Sequence, residues 1–196
     1  LSEPRPVYRL AHPAERHIVE ITPILSAGAA VAWARRLFGY QDDLAEAELA
    51  SGDASPPDLL FLPYLSGERF PFLDTEVRGA FHGLDAAHRP ADLYFAVLEG
   101  VALAIRANLA AIDPEGRARL CLAGGGAKSR IWPQLIADLL DRPIVIPTGA
   151  EIATARGAFL LALEALGMAA DEEESARRTV LPRPDRRARG ARLAAA

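Results

Sequence analysis

An alternation of short apolar runs and longer amphipathic stretches constrains the fold of this chain more than any other feature. The runs have the length of strands and the stretches that of helices, in the order strand 120–123, helix 130–140, strand 143–146 and helix 152–166. This order predicts an α/β domain with a parallel sheet portion and right-handed crossovers. Ligands of such sheets bind at the carboxyl ends of the strands, which are followed here by segments 124–128 and 148–151.

The first of these segments is rich in glycine. Gly124, Gly125 and Gly126 follow the strand directly, and Ala127, Lys128 and Ser129 come next. Glycine lets the backbone approach an anion closely, and the free N–H groups of a helix N-terminus add positive potential. Lys128 is also the only lysine in the chain. The pattern indicates a phosphate site, with a glycine turn between strand and helix, and a solvated Lys128, as the alternative.

Neither of the two commonest phosphate motifs fits this segment. A Walker A loop has glycine directly before its lysine, where this chain has Ala127. A Rossmann fingerprint needs a third glycine where this chain has Ser129, counted from Gly124 and Gly126. The loop by itself therefore indicates an anion, with a nucleotide as one candidate.

Residue patterns upstream predict two strands and three helices: strands 7–10 and 17–21, and helices 26–38, 42–50 and 92–112. Ser26 is the expected N-cap of the first helix. Helix 92–112 is apolar around much of its circumference, which predicts a buried spine between layers. Segment 59–72 is apolar and aromatic but interrupted by proline and glycine, so we expect an irregular loop wedged against the fold.

Composition limits the class of protein. With 196 residues, of which 51% are hydrophobic, the chain can hold one sizeable core. The net charge of −4 is modest and argues neither for a nucleic-acid surface nor for a membrane surface, and we expect neither partner. No uninterrupted apolar run approaches the roughly 20 residues that span a bilayer, and no secretory signal opens the chain, so a cytoplasmic location is expected. Because the sole methionine is Met168, we expect the natural start to lie upstream of Leu1.

Cysteine, histidine and the C-terminal charges add three expectations. Cys121, the only cysteine, lies in an apolar run and is expected to be a buried structural thiol. The four histidines lack metal-ligand spacing, so no metal site is expected from them. Beyond Gly167 the chain turns acidic and then arginine-rich. We therefore predict a domain at 1–168 and a charged, disordered tail at 169–196, with a nucleic-acid arm as the less favoured alternative.

Three segments carry a resemblance that none carries alone. They are 79–84 with 92–99 after a gap of seven residues, 62–69, and 124–129 with 153–157. In residue type and spacing, the first resembles the C-terminal signature of the FGGY carbohydrate kinases. The second resembles a segment of the xylulokinase-like and gluconokinase-like branches, where glycerol kinases usually differ. The third resembles the family's adenosine-nucleotide loop and the small-residue helix start that closes it.

The resemblance implies the C-terminal half only of a two-lobed kinase, an actin-like or hexokinase-like (ribonuclease H-like) ATPase lobe. In this family the sugar lies deep in a cleft, Mg-ATP binds mainly to the C-terminal lobe, and an aspartate acts as base. The implied activity is ATP-dependent and Mg²⁺-dependent phosphorylation of D-xylulose to D-xylulose 5-phosphate, with gluconate, another pentulose or a polyol as alternative substrates. The implied partners are the sugar and the N-terminal kinase lobe, and a homodimer is compatible with the resemblance.

Carried over residue by residue, the resemblance assigns nucleotide contacts to one contiguous group: Gly125, Gly126, Ala127, Lys128 and Ser129. Gly28 aligns with a family glycine near the nucleotide phosphate or ribose, with close helix packing as its alternative. Four positions later the glycerol-kinase branch has a glutamine, where this chain has Ala32, so that contact is expected to be missing.

The resemblance also implies what these residues lack. The family's catalytic aspartate and its first phosphate loop are expected upstream of Leu1, so we expect no catalysis by this chain alone, and an unpaired sheet edge. The side chains of Glu68, Arg69 and Asp74 either line the mouth of the cleft or form a surface ion pair that fixes their loop. A non-catalytic nucleotide-binding module and an NAD-dependent domain are the rival functions.

Overall fold

The computed structural model describes residues 7–12, 16–40, 59–168 and 176–184. Its helices and strands, in chain order, are β1 Tyr8–Ala11, β2 Ile18–Ile21, α1 Ala27–Phe38, β3 Leu60–Leu62, β4 Ala80–His82, α2 Pro90–Ile112, β5 Leu120–Cys121, α3 Trp132–Leu140, β6 Ile144–Pro147, α4 Ala153–Ala165 and β7 Arg177–Val180. Short 3-10 turns lie at Gly125–Lys128 and Ala150–Ile152. The helix predicted at 42–50 lies outside the described residues.

Helix α2 is the buried spine that the sequence predicts. Its fully buried side chains include Tyr94, Val97 and Val101, and it packs against α1, α3 and β3. Pro90 opens the helix, which suits proline because the first helical N–H needs no partner within the helix. By length and composition alone α2 also qualifies as a membrane span, a test that a buried core helix passes equally well. Its contacts place it in the core.

The N-terminus of α2 is closed by a reciprocal cap between Arg89 and Asp92. The carboxylate of Asp92 accepts hydrogen bonds from the backbone N–H of Arg89 at 2.9 Å and from its Nε at 3.3 Å. Burial raises the pKa of Asp92, but the hydrogen bonds and charge of Arg89 outweigh burial and hold that pKa below its ordinary value. The ionised carboxylate therefore stabilises the start of the spine.

The strands form three small sheets. The two strands predicted near the start of the chain, β1 and β2, pair antiparallel as a hairpin. Strand β5 pairs parallel with β6 as the predicted strand–helix–strand unit. Strands β3 and β4 pair antiparallel, so the expectation of an irregular loop at 59–72 is wrong for its first residues. Leu59 and Phe61 are buried there against the spine, which outweighs the nearby prolines.

Two further sequence expectations are wrong. Residues 176–184, placed in the disordered tail, contain β7, which pairs antiparallel with β6 and buries Val180 in the core. The thiol of Cys121 is exposed rather than buried. Successive strand residues alternate between faces, so Leu120 and Leu122 pack on the core while Cys121 points away from it. Within the described part of the chain, β5 pairs only with β6.

Ser26 occupies the N-cap of α1 as expected, and Gly39 ends that helix in the left-handed conformation. The hydroxyl of Ser26 is buried and makes no hydrogen bond with the described residues, so the position is right but the capping bond is absent. At the far end of the spine, the Asn108 amide donates to the carbonyl of Thr22 at 3.2 Å. This bond ties the segment after the hairpin to α2.

We expect Gly100→Ala to destabilise the protein strongly. A Cβ at Gly100 would lie 2.1 Å from the carbonyl oxygen of Phe61, a backbone atom in β3 that cannot move aside cheaply. Overpacking of this kind costs about 3 kcal/mol. Urea unfolding of the full-length protein measures the loss, with Gly157→Ala as control because a Cβ there meets nothing within 4 Å. Equal stability of the two variants would contradict the close helix–strand contact.

The Asp92 cap predicts a pH-dependent contribution to stability. Because its folded-state pKa is depressed, the stabilisation is fully present above the unfolded pKa of about 3.9 and is lost as the pH falls through the folded value. We therefore expect Asp92→Asn to lower the melting temperature near neutral pH. The difference from wild type should shrink as the pH falls below about 3.9. A difference that stays constant with pH would show that charge is not involved.

Candidate functional site

A cavity of about 590 Å³ opens between α1, α2 and the glycine-rich loop. Of the six residues that the sequence singles out, five line it: Gly28, Gly125, Gly126, Lys128 and Ser129. The sixth, Ala127, is buried behind the loop. The volume lies in the range of small-molecule and cofactor sites. Residues nearly 100 positions apart in sequence therefore meet at one cavity, although their role as nucleotide contacts remains a prediction.

The glycine-rich loop turns through a single 3-10 turn rather than entering the following helix directly. Gly124 has a φ of +90°, which favours glycine, and its N–H donates to the carbonyl of Ala150 at 2.7 Å. Helix α3 begins only at Trp132. The hydroxyl of Ser129 accepts hydrogen bonds from the N–H groups of Ile131 at 3.3 Å and Trp132 at 3.0 Å. Ser129 lies two residues before the N-cap position, Ile131, and its hydroxyl already satisfies two N–H groups at this helix start.

The absence of a side chain has a different physical consequence at each glycine of the cavity. A Cβ at Gly126 would lie 2.6 Å from the ring of Trp132, so this glycine is needed for packing. A Cβ at Gly125 or at Gly28 would meet nothing within 4 Å. Open space at Gly28 removes close helix packing as the explanation for that glycine. Gly28 and Gly125 are therefore the two cavity-lining glycines beside which there is open space for a ligand.

Positively charged side chains lie around the same cavity. Lys128, Arg35 and Arg130 line it, and the described lining residues include no carboxylate. The Nε of Arg35 donates to the hydroxyl of Tyr94 at 2.9 Å, which holds the guanidinium on this wall. Lys128 is exposed and makes no ion pair within the described ranges. The site is electrostatically suited to an anion.

Apolar side chains form another part of the cavity wall. Val31 and Leu98 line the cavity together with Trp132, whose indole N–H donates to the carbonyl of Leu98 at 3.3 Å. Sequence reasoning did not find Arg35 or these apolar residues. Their signal is positional: Gly28, Val31, Ala32 and Arg35 share one face of α1 by the three- and four-residue spacing of a helix. A cationic rim beside an apolar wall suits a ligand with both a phosphate and a ring.

The loop containing Glu68 lies outside this cavity and has a structural role. The buried carboxylate of Glu68 accepts hydrogen bonds from the N–H groups of Arg69 at 2.8 Å and Leu25 at 3.3 Å. Asp74 accepts from the N–H of Glu76 at 2.7 Å. Burial, and secondarily the charge of Glu68, raises the pKa of Tyr64 in the same loop. Backbone hydrogen bonds, rather than a surface ion pair, therefore fix the loop.

The described residues of this site include few side chains that could hold a metal ion or transfer a proton. Among the described residues there is no cluster of three histidine, cysteine or acidic side chains that could hold a metal ion. The described cavity wall presents no carboxylate that could act as a general base. What these residues offer is the capture and orientation of an anionic ligand.

Comparison with known proteins agrees with this picture. The C-terminal domain of the FGGY family of carbohydrate kinases matches residues 5–166. A xylulose kinase of Escherichia coli (strain K12) is 36% identical over 170 residues, which are 83% of this chain and 34% of that protein. A gluconokinase of Bacillus subtilis (strain 168) is 37% identical over 112 residues, 56% of this chain and 22% of that protein.

A solved structure extends the similarity to the fold. The crystal structure of a xyloylose kinase from Brucella ovis is 32% identical and superposes with a TM-score of 0.78, covering 99% of this chain and 43% of that one. The fold is thus the C-terminal half of an actin-like, ribonuclease H-like ATPase. The chain belongs to the FGGY family of carbohydrate kinases, of which it contains the C-terminal domain. It spans about a third of the length of the curated relatives it matches.

Proposed function

We propose that this chain supplies the ATP-binding lobe of a sugar kinase that converts D-xylulose to D-xylulose 5-phosphate. The observation that carries the proposal is the meeting of Gly28 and the glycine-rich loop at one cationic cavity. Membership of a carbohydrate kinase family supplies the reaction class. When bound, ATP supplies the phosphoryl group that such a reaction transfers.

The residues present fit a nucleotide. Gly28 and Gly125 leave open space in which phosphate or ribose can approach the backbone, because a Cβ there would meet nothing. Lys128, with Arg35 and Arg130, compensates negative charge, and the apolar wall at Val31 and Leu98 suits a purine ring. We propose that Mg²⁺ enters with the nucleotide phosphates and is held partly by water.

The sugar is assigned by similarity rather than by the cavity. Xylulose kinases and gluconokinases are both among the relatives, and residues 62–69 resemble the segment of these two branches. D-Xylulose is therefore the first candidate, and gluconate, another pentulose or a polyol is the alternative. We propose that the aspartate base and most sugar contacts come from sequence upstream of Leu1, in a protein that works in the cytoplasm.

Exposed apolar surfaces support the proposal that an N-terminal lobe covers this chain. Helix α4 has no buried residue, and the side chain of Phe159 on it is 61% exposed. In the hairpin, Ile18 is 69% exposed. Apolar helices and strands of a folded protein normally bury one face. A homodimer is a further candidate for covering part of these surfaces.

The first test is ADP release by the full-length gene product with Mg-ATP and a panel of D-xylulose, D-gluconate, L-ribulose and glycerol. We expect strong stimulation by D-xylulose and none by the chain of residues 1–196 alone. Stimulation by another sugar would replace the substrate. Nucleotide binding without stimulation by any sugar would favour a non-catalytic module, and preference for NADH over Mg-ADP in calorimetry would favour an NAD-dependent domain.

A second test concerns the cavity. We expect Gly125→Val in the full-length protein to weaken Mg-ADP binding by at least about tenfold, because a branched side chain occupies the space left for the ligand. Isothermal titration calorimetry measures the affinity, and the melting temperature should change little. Gly116→Ala, on a remote turn, is not a suitable control because that glycine has a φ of +68°. Ala110→Val, at an exposed position of α2 that does not line the cavity, is the control for adding a branched side chain.

Unchanged affinity of a folded Gly125→Val protein would move the nucleotide away from this loop. Gly126→Val does not serve the same purpose, because its side chain would collide with the Trp132 ring whether or not a ligand binds.

A further inference from the structure

Residues 176–184, here called the C-terminal strap, lie beyond residue 166, where the match to the family ends. The strap contains β7, which pairs with β6 along its whole length, from Ile144 opposite Val180 to Pro147 opposite Arg177. Because the pairing is antiparallel, the strap begins at the carboxyl end of β6. That end leads into the turn that contacts the glycine-rich loop.

The strap is joined to the loop through one residue. The N–H and the hydroxyl of Thr148 both donate to the carbonyl of Ala176, at 2.9 and 2.7 Å. Two residues further on, the carbonyl of Ala150 accepts the 2.7 Å hydrogen bond from Gly124. Gly149 lies between them with a φ of +72°, and its carbonyl accepts from the N–H of Ile152. A short, hydrogen-bonded turn thus connects the strap with the first glycine of the loop.

The other end of the strap is hydrogen-bonded to helix α3, which directly follows the glycine-rich loop. Arg183 holds the buried carboxylate of Asp138 on α3, with Nε at 2.9 Å and the backbone N–H at 2.8 Å. The amide of Gln134 donates to the carbonyl of Leu181 at 2.8 Å. Helix α3 begins at Trp132, whose ring packs against Gly126. The strap therefore contacts both the turn after β6 and helix α3, and each of these contacts the glycine-rich loop.

We propose that the C-terminal strap positions the glycine-rich loop, with Thr148 as the positioning residue, so that affinity for the phosphate-bearing ligand depends on the strap. Thr148 does not line the cavity, and among the described residues it is linked to the loop by way of Ala150, whose carbonyl accepts from Gly124. The statement about affinity rests on the proposed function, whereas the statement about the order of the loop does not. The two are measured separately.

The experiment uses the full-length gene product and two variants, here called the strap variants: Thr148→Val, at the contact with the start of the strap, and Arg183→Gln, near its end. The first removes the hydroxyl donor with little change of shape, and the second removes the charged clamp on Asp138. Thr148→Ser is the rescue variant because it keeps the hydroxyl. Arg178→Gln is the matched control, since Arg178 lies exposed in the same strand and makes no described side-chain hydrogen bond or ion pair.

Two readouts are taken. Hydrogen–deuterium exchange of peptides covering 120–131 should accelerate in Thr148→Val and Arg183→Gln, while peptides of α2 stay unchanged. The KM for ATP should rise about three- to tenfold with kcat and the KM for sugar nearly unchanged, because binding of ATP is weakened equally in the ground state and in the transition state. Thr148→Ser and Arg178→Gln should match wild type in both readouts.

Exchange and KM for ATP that match wild type in both strap variants would overturn the proposal and leave the strap as a cover for the edge of β6. If wild type itself neither binds nucleotide nor forms ADP, the proposed function fails. The exchange of peptides 120–131 then decides the positioning role by itself, supporting it if faster and overturning it if unchanged.

Discussion

The contact between the middle of α2 and β3 is the constraint on which the remaining arrangement depends. The absence of a side chain at Gly100 allows the spine to lie directly against the backbone of Phe61. With one side of α2 occupied in this way, α1 and α3 pack on other parts of its surface. The cavity forms where α1, the spine and the loop before α3 meet, so its shape follows from that helix–strand contact.

The sequence predicts the parts of the fold whose signals are local. Helix α2 and the β5–α3–β6 unit have clear periodicity or alternation, and both are confirmed. Strands β3 and β7 are missed because prolines or arginines dominate their surroundings and the pairing partner lies elsewhere in the chain. In α1, Leu37 has the helical spacing of the buried Val31 and Ala34 but is 58% exposed, because the buried face of this helix ends at Ala34. In these cases tertiary contacts determine strand formation and burial, and local residue propensity carries no information about those contacts.

The same distinction applies to the candidate site. Three adjacent glycines predict close approach of a ligand, yet one of them serves packing against Trp132 and another serves a left-handed turn. At Gly125, as at the distant Gly28, a Cβ would meet nothing within 4 Å, so ligand approach remains the prediction for these two glycines. The pattern is the same in each case because glycine meets every requirement for a missing side chain. The pattern cannot distinguish packing, turn geometry and ligand approach, because each depends on spatial neighbours that the sequence alone does not reveal.

The division between binding and chemistry follows from the charges. Transfer of a phosphoryl group to a hydroxyl needs both compensation of phosphate charge and a base for the acceptor. Cations and bare backbone line the described cavity, whereas its described walls contain no carboxylate. A base placed directly among these cations would also be held near phosphate oxygens of like charge. In the proposed kinase, a carboxylate on facing sequence across a cleft would accept the proton while the wall described here attracts the nucleotide. The exposed apolar helix α4 would give that facing sequence a surface on which to pack.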